Sequence, residues 1–333
     1  MPMTIDGSVG EGGGQILRMA IAFSAILGES IRVVNIRKNR PKPGLGVQHL
    51  KSIEALRNMV DASVEGLYPG STEVVFTPGP IKSGEYRVNM GTAGSITLAL
   101  QSILPVAAFA PGPMTVDITG GTDVSWSPTY DYFKNVTLPA IGRFGFHVEA
   151  SLISRGYYPA GGGRMRVYTK PAVLRGVEMT KPMDGPVKGV SSSSRLPPHV
   201  AERQARAAKA YLIEHGFEAD DVVLDVRSDT STGSSITLFR GMMGGSALGE
   251  RGKPAEKVGV EAASFLAEEL SSGAAVDSHL ADQLIIYMAL SDGQSMISTS
   301  HITDHTRSSI TIAEQMTGKK FTIRKNRVYV IQS

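Results

Sequence analysis

The stretch VGEGGGQILRMAIAFSAIL, Val9–Leu27, is the point from which the fold can be read. Glycine gives up more backbone freedom on folding than any other residue, so the triplet Gly12-Gly13-Gly14 implies a backbone shape or close approach that side chains forbid. After it, Ile16, Leu17, Met19, Ala20, Ala22 and Phe23 fit a helical period. The triplet therefore opens a helix over Ile16 to Leu27. Its first free N–H groups either serve a turn alone or face an anion such as phosphate. A second triplet, Gly161-Gly162-Gly163 in RGYYPAGGGRMRV, precedes an alternating run and reads as a tight turn into a strand. Neither matches the phosphate-loop or dinucleotide fingerprint.

Outward from Leu27 the period changes and then repeats. A strand (Ile31 to Arg37), a loop, a helix (Val47 to Val60) and two strands (Ala62 to Glu65, Thr72 to Phe76) complete a first unit. The same order returns as Ser95 to Ala108, Met114 to Thr119, Tyr130 to Phe144, Phe146 to Leu152 and Met165 to Thr169. It returns again as Leu280 to Leu290, Ser295 to His301, Arg307 to Met316, Phe321 to Arg324 and Val328 to Ile331. Each unit offers two helices and a small mixed sheet with one apolar face to cover, so three units packing helices inward bury a common core.

Residues 181–272 break this pattern. They read as strand (Gly189 to Ser194), helix (Pro198 to His215), two strands (Val222 to Ser228, Ser235 to Gly241) and helix (Ala255 to Leu270), a small inserted α/β domain. The expected division is 1–180 with 273–333 as the main body and 181–272 as the insert.

Composition narrows the chemistry. With 333 residues, 41% of them hydrophobic, the chain can bury a real core. No apolar run reaches the ~20 residues that span a bilayer, and the N-terminus lacks a signal-like core, so the cytoplasm is the expected compartment. Cysteine is absent, which excludes disulfides, zinc–thiolate sites and a thiol nucleophile. Net charge is only +3, but Arg32, Arg37, Lys38, Arg40, Lys42 and Lys51 fall in one stretch without an acid. Pro41, Pro43, Gly44 and Gly46 make it a shaped loop, which is either a solvated face or a phosphate-binding surface.

The loops after the first predicted strand of each unit read RKNRPKPG, GGTDVSWSP and SHITDHT. Polar loops on a repeated scaffold are how a shared cleft is built. In the third, Thr303 or Asp304 caps a helix, and His301 and His305 are either incidental or reactive. Without a cysteine, imidazole is the side chain best able to attack phosphorus near neutrality, with an ordinary pKa of about 6.5. Glu11 is either a solvated charge or a hard oxygen ligand for Mg²⁺. Arg18 is either a buried structural arginine or a phosphate ligand, and Trp126 is either core or a stacking platform.

The strings DGSVGEGGGQILR (Asp6 to Arg18), RKNRPKPGL (Arg37 to Leu45), RGYYPAGGG (Arg155 to Gly163) and HLADQ (His279 to Gln283) resemble the RNA 3'-terminal phosphate cyclases, in that family's order. The resemblance implies an α/β (α+β) fold of three repeated units, each two helices on a four-stranded mixed sheet, plus a small thioredoxin-like insert. It implies ATP and Mg²⁺ (or Mn²⁺) as cofactors and RNA with a 3'-phosphate end as substrate. No membrane partner follows from it, and a homodimer is left open. His305 matches the histidine that ATP adenylylates, with Arg18 and Arg40 as catalytic partners and Glu11 at the metal. Arg37, Arg40 and Gln48 match positions lining the cleft for the RNA end and the triphosphate, where arginine's planar fork suits phosphate oxygens. Gln101 matches a nucleotide contact. His279, Leu280, Ala281, Asp282 and Gln283 match the ATP site, His279 standing where relatives stack an aromatic ring on adenine, with Pro128 as the other wall.

The implied reaction converts the RNA 3'-phosphate to a 2',3'-cyclic phosphate through histidyl-AMP and RNA-adenylate. Two rivals share the architecture: a non-catalytic RNA-binding relative acting in ribosome assembly, and small-molecule transferases such as the enolpyruvyl transferases.

Overall fold

A computed structural model describes residues 1–10 and 13–331. Three units share one topology. The first comprises β1 (Met3–Asp6), α1 (Gly14–Leu27), β2 (Ile31–Val34), α2 (Val47–Met59), β3 (Ser63–Glu65) and β4 (Val74–Thr77), with sheet order β1-β2-β4-β3. Strand β1 runs parallel to β2, and β4 is antiparallel to both β2 and β3.

The second comprises β5 (Gly84–Asn89), α3 (Ile96–Ala108), β6 (Met114–Gly120), a long helix, β7 (Val148–Ser154) and β8 (Gly163–Thr169), in order β5-β6-β8-β7. That helix consists of α4 (Tyr130–Tyr132) and α5 (Leu138–Arg143) joined by a π-helical turn, Phe133–Thr137. The third has order β9-β14-β16-β15, from β9 (Glu178–Met179), β14 (Ser295–Ser298), β15 (Lys320–Arg324) and β16 (Arg327–Ile331).

The insert, β10 (Lys188–Ser194), α6 (His199–Glu214), β11 (Val223–Arg227), β12 (Gly233–Arg240), β13 (Met243–Leu248) and α7 (Ala255–Ser271), follows β9. Helices α8 (Ser278–Leu290) and α9 (Asp304–Thr317) complete the third unit. The insert's sheet order, β11-β10-β12-β13, differs from that of the units: β10 is parallel to β11 and antiparallel to β12, the thioredoxin arrangement.

These differences from the sequence expectation have local causes. The first strand of each unit is missing from the predicted pattern. Strands β1 and β9 have four and two residues, and only Ile5 and Met179 in them are buried, too little for an alternating signature. Because β9 pairs with β14 from across the insert, the interruption falls inside the third unit rather than between units. Strand β2 stops at Val34, short of the expected Arg37, because Asn35 and Arg37 adopt φ of 54°. Strand β13 escaped notice because MGGSAL carries two glycines. A Cβ at Gly244 would strike the Tyr132 ring at 2.7 Å, and one at Gly245 would meet the Ala262 carbonyl oxygen at 2.5 Å.

Helices α1, α2, α3, α8 and α9 pack against one another beneath the sheets. Their buried faces, including Ile21 and Phe23 of α1, Leu100 and Ile103 of α3, Leu284 and Ile285 of α8 and Ile312 of α9, form one apolar core. A separate cluster built on Leu212, Ile236, Leu238, Val258 and Leu266 lies inside the insert. No helix among the described residues is long and apolar enough to cross a membrane.

Between insert and second unit the seam is polar. Arg155, 1% exposed, reaches Asp131 at 2.7 Å, Asp225 of the insert at 2.8 Å and Asp123 at 3.2 Å. Burial alone would lower the Arg155 pKa, but Asp123 and Asp131 hold it well above its ordinary value. Burial likewise raises Asp131 to about 6, against the pull of Arg155. The guanidinium thus ties RGYYPAGGG to the insert. The second triplet does make a tight turn: Gly161 and Gly162 have φ of 67° and 75°, and a Cβ at Gly161 would overlap the Thr92 carbonyl oxygen.

Candidate active site

Chain segments from both ends meet at Gly13. This residue precedes α1 with an extended backbone (φ −82°, ψ 176°) and, having no side chain, offers no side-chain cap to the first N–H groups of the helix. A Cβ at Gly13 would lie 3.4 Å from Arg40 Nη2 and 3.8 Å from His305 Cε1. Close by, a Cβ at Gly10 would overlap the Ser308 hydroxyl of α9. The turn is therefore glycine-lined because a cationic loop and a helix N-terminus close on it.

His305 occupies the second position of α9, whose N-cap is Thr303, with its hydroxyl accepting from the Thr306 N–H at 3.0 Å. Of the two expected caps, the threonine serves. His305 is half-buried, whereas His301 is exposed.

Arg37 and Arg40 come from the basic loop. Arg37 Nη1 donates to the Gly44 carbonyl at 3.0 Å, and burial followed by repulsion from Arg40 lowers its pKa. Gln48 lies half-buried in the first turn of α2.

Behind these groups stands His49, absent from the sequence-based site. Its Nδ1 accepts the Gly46 N–H at 3.2 Å, and a Cβ at Gly14 would come within 2.1 Å of its Nε2 and 3.0 Å of Arg18 Nη1. Burial, then the charges of Arg18 and Arg37, bring its pKa down to about 3. The imidazole is neutral at physiological pH and adds no charge between two arginines.

Arg18 faces the acidic side of the cluster. Burial lowers its pKa to about 10 while Asp282 opposes the shift, and burial raises Asp282 to about 7 against a Gln15 hydrogen bond and Arg18. Gln15 also donates to Ser309 Oγ at 2.7 Å, so one amide joins α1 to both α8 and α9. The signal for Gln15 was its place directly after the triplet. For His49 it was a histidine following Gln48 at the end of the basic loop.

Asp277 caps α8, its Oδ1 accepting from the His279 and Leu280 N–H groups, and also receives the Tyr132 hydroxyl. Burial raises it to about 7. The His279 ring stacks on Phe265, centroids 5.1 Å apart and 11° from coplanar. Burial lowers its pKa, Glu269 opposes the shift, and repulsion from His305 adds to it, so both imidazoles share one electrostatic neighbourhood. Leu280 and Ala281 are wholly buried, and their N–H groups are taken by the Asp277 carboxylate and carbonyl. Gln283 donates to the His279 carbonyl and accepts from the Thr137 hydroxyl. Gln101 is half-buried on α3, one turn beyond Thr97, whose hydroxyl donates to the Pro128 carbonyl. Trp126 is 97% exposed, which removes the core alternative for its ring.

His305, Arg40, Arg37, Arg18, Asp282 and His279 are thus joined through Gly13, Gly14 and His49. Gln48, Gln101, Pro128 and Gln283 sit on the surrounding helices and loops. Glu11 lies outside the described residues, and among those described no three acidic or imidazole side chains converge as a metal cage.

A family profile described as RNA 3'-terminal phosphate cyclase matches residues 9–323. A protein named RNA 3'-terminal phosphate cyclase from Archaeoglobus fulgidus is 49% identical over 326 residues, covering 98% of this chain and 99% of its own. One of the same name from Methanosarcina barkeri is 49% identical over 325 residues, covering 97% of each. Among solved structures, the enolpyruvyl transferase NikO from Streptomyces tendae aligns with a TM-score of 0.43 and 10% identity, over 98% of this chain and 47% of that one. The chain belongs to the RNA 3'-terminal phosphate cyclase family.

Proposed function

We propose that this chain uses ATP to convert an RNA 3'-terminal phosphate into a 2',3'-cyclic phosphate, with His305 as the nucleophile that carries AMP. The observation that carries the proposal is the meeting of His305, Arg40 and the start of α1 at Gly13. A nucleophile, a bidentate phosphate donor and a helix N-terminus at one point suit a triphosphate.

In this account an imidazole nitrogen of His305 attacks the α-phosphorus of ATP, the bond to the β-phosphate oxygen breaks, and pyrophosphate leaves. Arg40 and Arg37 neutralise the charge that builds on it. A 3'-phosphate oxygen of the RNA then takes the adenylyl group, releasing the imidazole. The vicinal 2'-hydroxyl attacks the activated 3'-phosphorus, losing its proton to solvent and expelling AMP. Nucleophile and phosphorus share one ribose, so proximity supplies much of this last rate.

Asp282, Gln283 and the start of α8 around Leu280 and Ala281 hold the nucleoside, with Gln101 beside it, and Gln48 joins Arg37 and Arg40 at the triphosphate and the RNA end. The base lies between His279 and Pro128. Arg18 supports the phosphate end. Glu11, a carboxylate two positions before Gly13 in the sequence, is the residue that would hold Mg²⁺ or Mn²⁺ in this proposal, and the ion would supply charge neutralisation at the phosphates. Residues 1–180 and 273–333 form the catalytic body in this proposal, 181–272 the insert, and the cytoplasm is the compartment.

Incubation with α-labelled ATP and Mg²⁺ tests it. Label is expected to stay on the wild-type protein through denaturation, to map to the His305 peptide, and to be absent from His305→Ala. No adduct on wild type, or an undiminished adduct on the variant, overturns the mechanism.

A further inference from the structure

Helix α7 of the insert meets the start of α8 at two points on one face. Buried Glu269 accepts the Ser278 hydroxyl at 2.6 Å and the Ser278 N–H at 3.2 Å. Phe265, four residues earlier and so one turn back along that face, lies flat against the His279 ring. A third tie comes from β13, where the Gly244 N–H donates to Asp277 Oδ2 at 2.9 Å. The consecutive residues Asp277, Ser278 and His279 thus each have a partner in the insert.

The Phe265 contact is not a core contact. Its neighbours Ala262, Ala263 and Leu266 are buried in the insert's own cluster, whereas Phe265 is half-buried and belongs to neither apolar core of the described residues. What it covers is one face of an imidazole on a residue that stays exposed, so the opposite face is the one left to a ligand. The His279 backbone is held on both sides, its N–H by Asp277 Oδ1 at 2.9 Å and its carbonyl by the Gln283 amide at 3.0 Å. Among the described residues no hydrogen bond reaches its ring nitrogens. The offset stack on Phe265 therefore sets the tilt of the ring.

We propose that Phe265 is a positioning residue for the nucleotide: it backs the His279 ring so that the far face stands ready for the adenine, which makes the insert part of the ATP site. This rests on the placement of the base between His279 and Pro128 proposed above. Phe265 itself lies behind the imidazole and meets no ligand.

The other wall is fixed in a similar way, since the Pro128 carbonyl accepts the Thr97 hydroxyl at 2.7 Å. With both walls held, the slot exists before the base arrives. Without Phe265 the imidazole is free to turn about its two side-chain torsions, and binding has to immobilise it. A flat ring does this better than mere bulk, because stacking fixes the plane of its neighbour as well as its position. The effect belongs to the base alone, since the phosphates lie against the arginines and the start of α1 in the proposed site.

Equilibrium dialysis of the full chain against α,β-methylene-ATP, whose bridging carbon stops adenylyl transfer, tests this apart from the His305 chemistry. Phe265→Ala should weaken binding by about fivefold. Phe265→Tyr, which keeps a flat ring, should stay within about twofold of wild type, and Phe265→Leu, which keeps bulk without a flat face, should resemble Phe265→Ala. Tripolyphosphate, which has no base, should compete with the same affinity on all four proteins. An unchanged Phe265→Ala, an equal loss for tripolyphosphate, or full rescue by leucine overturns the proposal. His279→Ala separates it from the reading beneath it. Weaker binding there with an unchanged Phe265→Ala removes the role of Phe265 alone, whereas an unchanged His279→Ala removes the adenine placement and this proposal with it.

Discussion

Replacing Gly14 with alanine sets two physical effects against each other. Gly14 is the first residue of α1, and helix propensity alone favours alanine there by about 1 kcal/mol. The added Cβ, however, would stand 2.1 Å from His49 Nε2, 2.6 Å from its Cδ2 and 3.0 Å from Arg18 Nη1. The His49 ring is only 7% exposed and its far nitrogen holds the Gly46 N–H, so the ring cannot simply swing away. Overpacking costs about 1–3 kcal/mol and stranding the Gly46 donor about 1–3 kcal/mol. After the propensity gain, Gly14→Ala should destabilise by roughly 1–5 kcal/mol. The assay is urea unfolding at neutral pH, comparing midpoints at unchanged slope. Truncating His49 in the same chain removes the clash, so a double-mutant cycle should show coupling of at least about 1 kcal/mol. A Gly14→Ala protein as stable as wild type, or more stable, would refute the packing account and leave propensity as the governing effect.

Three further outcomes follow from the charges and caps. His49, brought from its ordinary value to about 3, binds fewer protons folded than unfolded, so its contribution is complete above pH 6.5 and is lost as pH falls toward 3. The stability of wild type relative to His49→Gln should therefore drop by about 3 kcal/mol between pH 7 and pH 4; a difference that does not change with pH contradicts this. Arg155→Met leaves the carboxylates of Asp123, Asp131 and Asp225 facing one another and should cost about 3–5 kcal/mol at pH 7.5. The loss should shrink near pH 5, where Asp131, raised by burial to about 6, can take a proton, and an equal loss at both pH values would count against charge repulsion as the cause. Thr303→Ala removes the α9 cap and should cost about 1 kcal/mol in thermal unfolding, with Thr303→Ser retaining most of it.

The sequence by itself determined the helices, because their burial repeats every turn and needs no knowledge of a partner. It also determined the chemistry on offer: no thiol, a cationic loop, and a histidine just inside a helix start. The rest depended on which segments lie opposite one another. Strands β1 and β9 carry one buried apolar residue apiece, and their identity comes from pairing with β2 and β14, the second across a whole inserted domain. The lowered pKa of His49 needs its burial and then Arg18 and Arg37 brought around it, and the Gln15 bridge joins α1 to Ser309, 294 residues away. Periodicity is a property of neighbours along the chain. Burial, charge coupling and ladder pairing belong to neighbours in space, and only the packed structure says who they are.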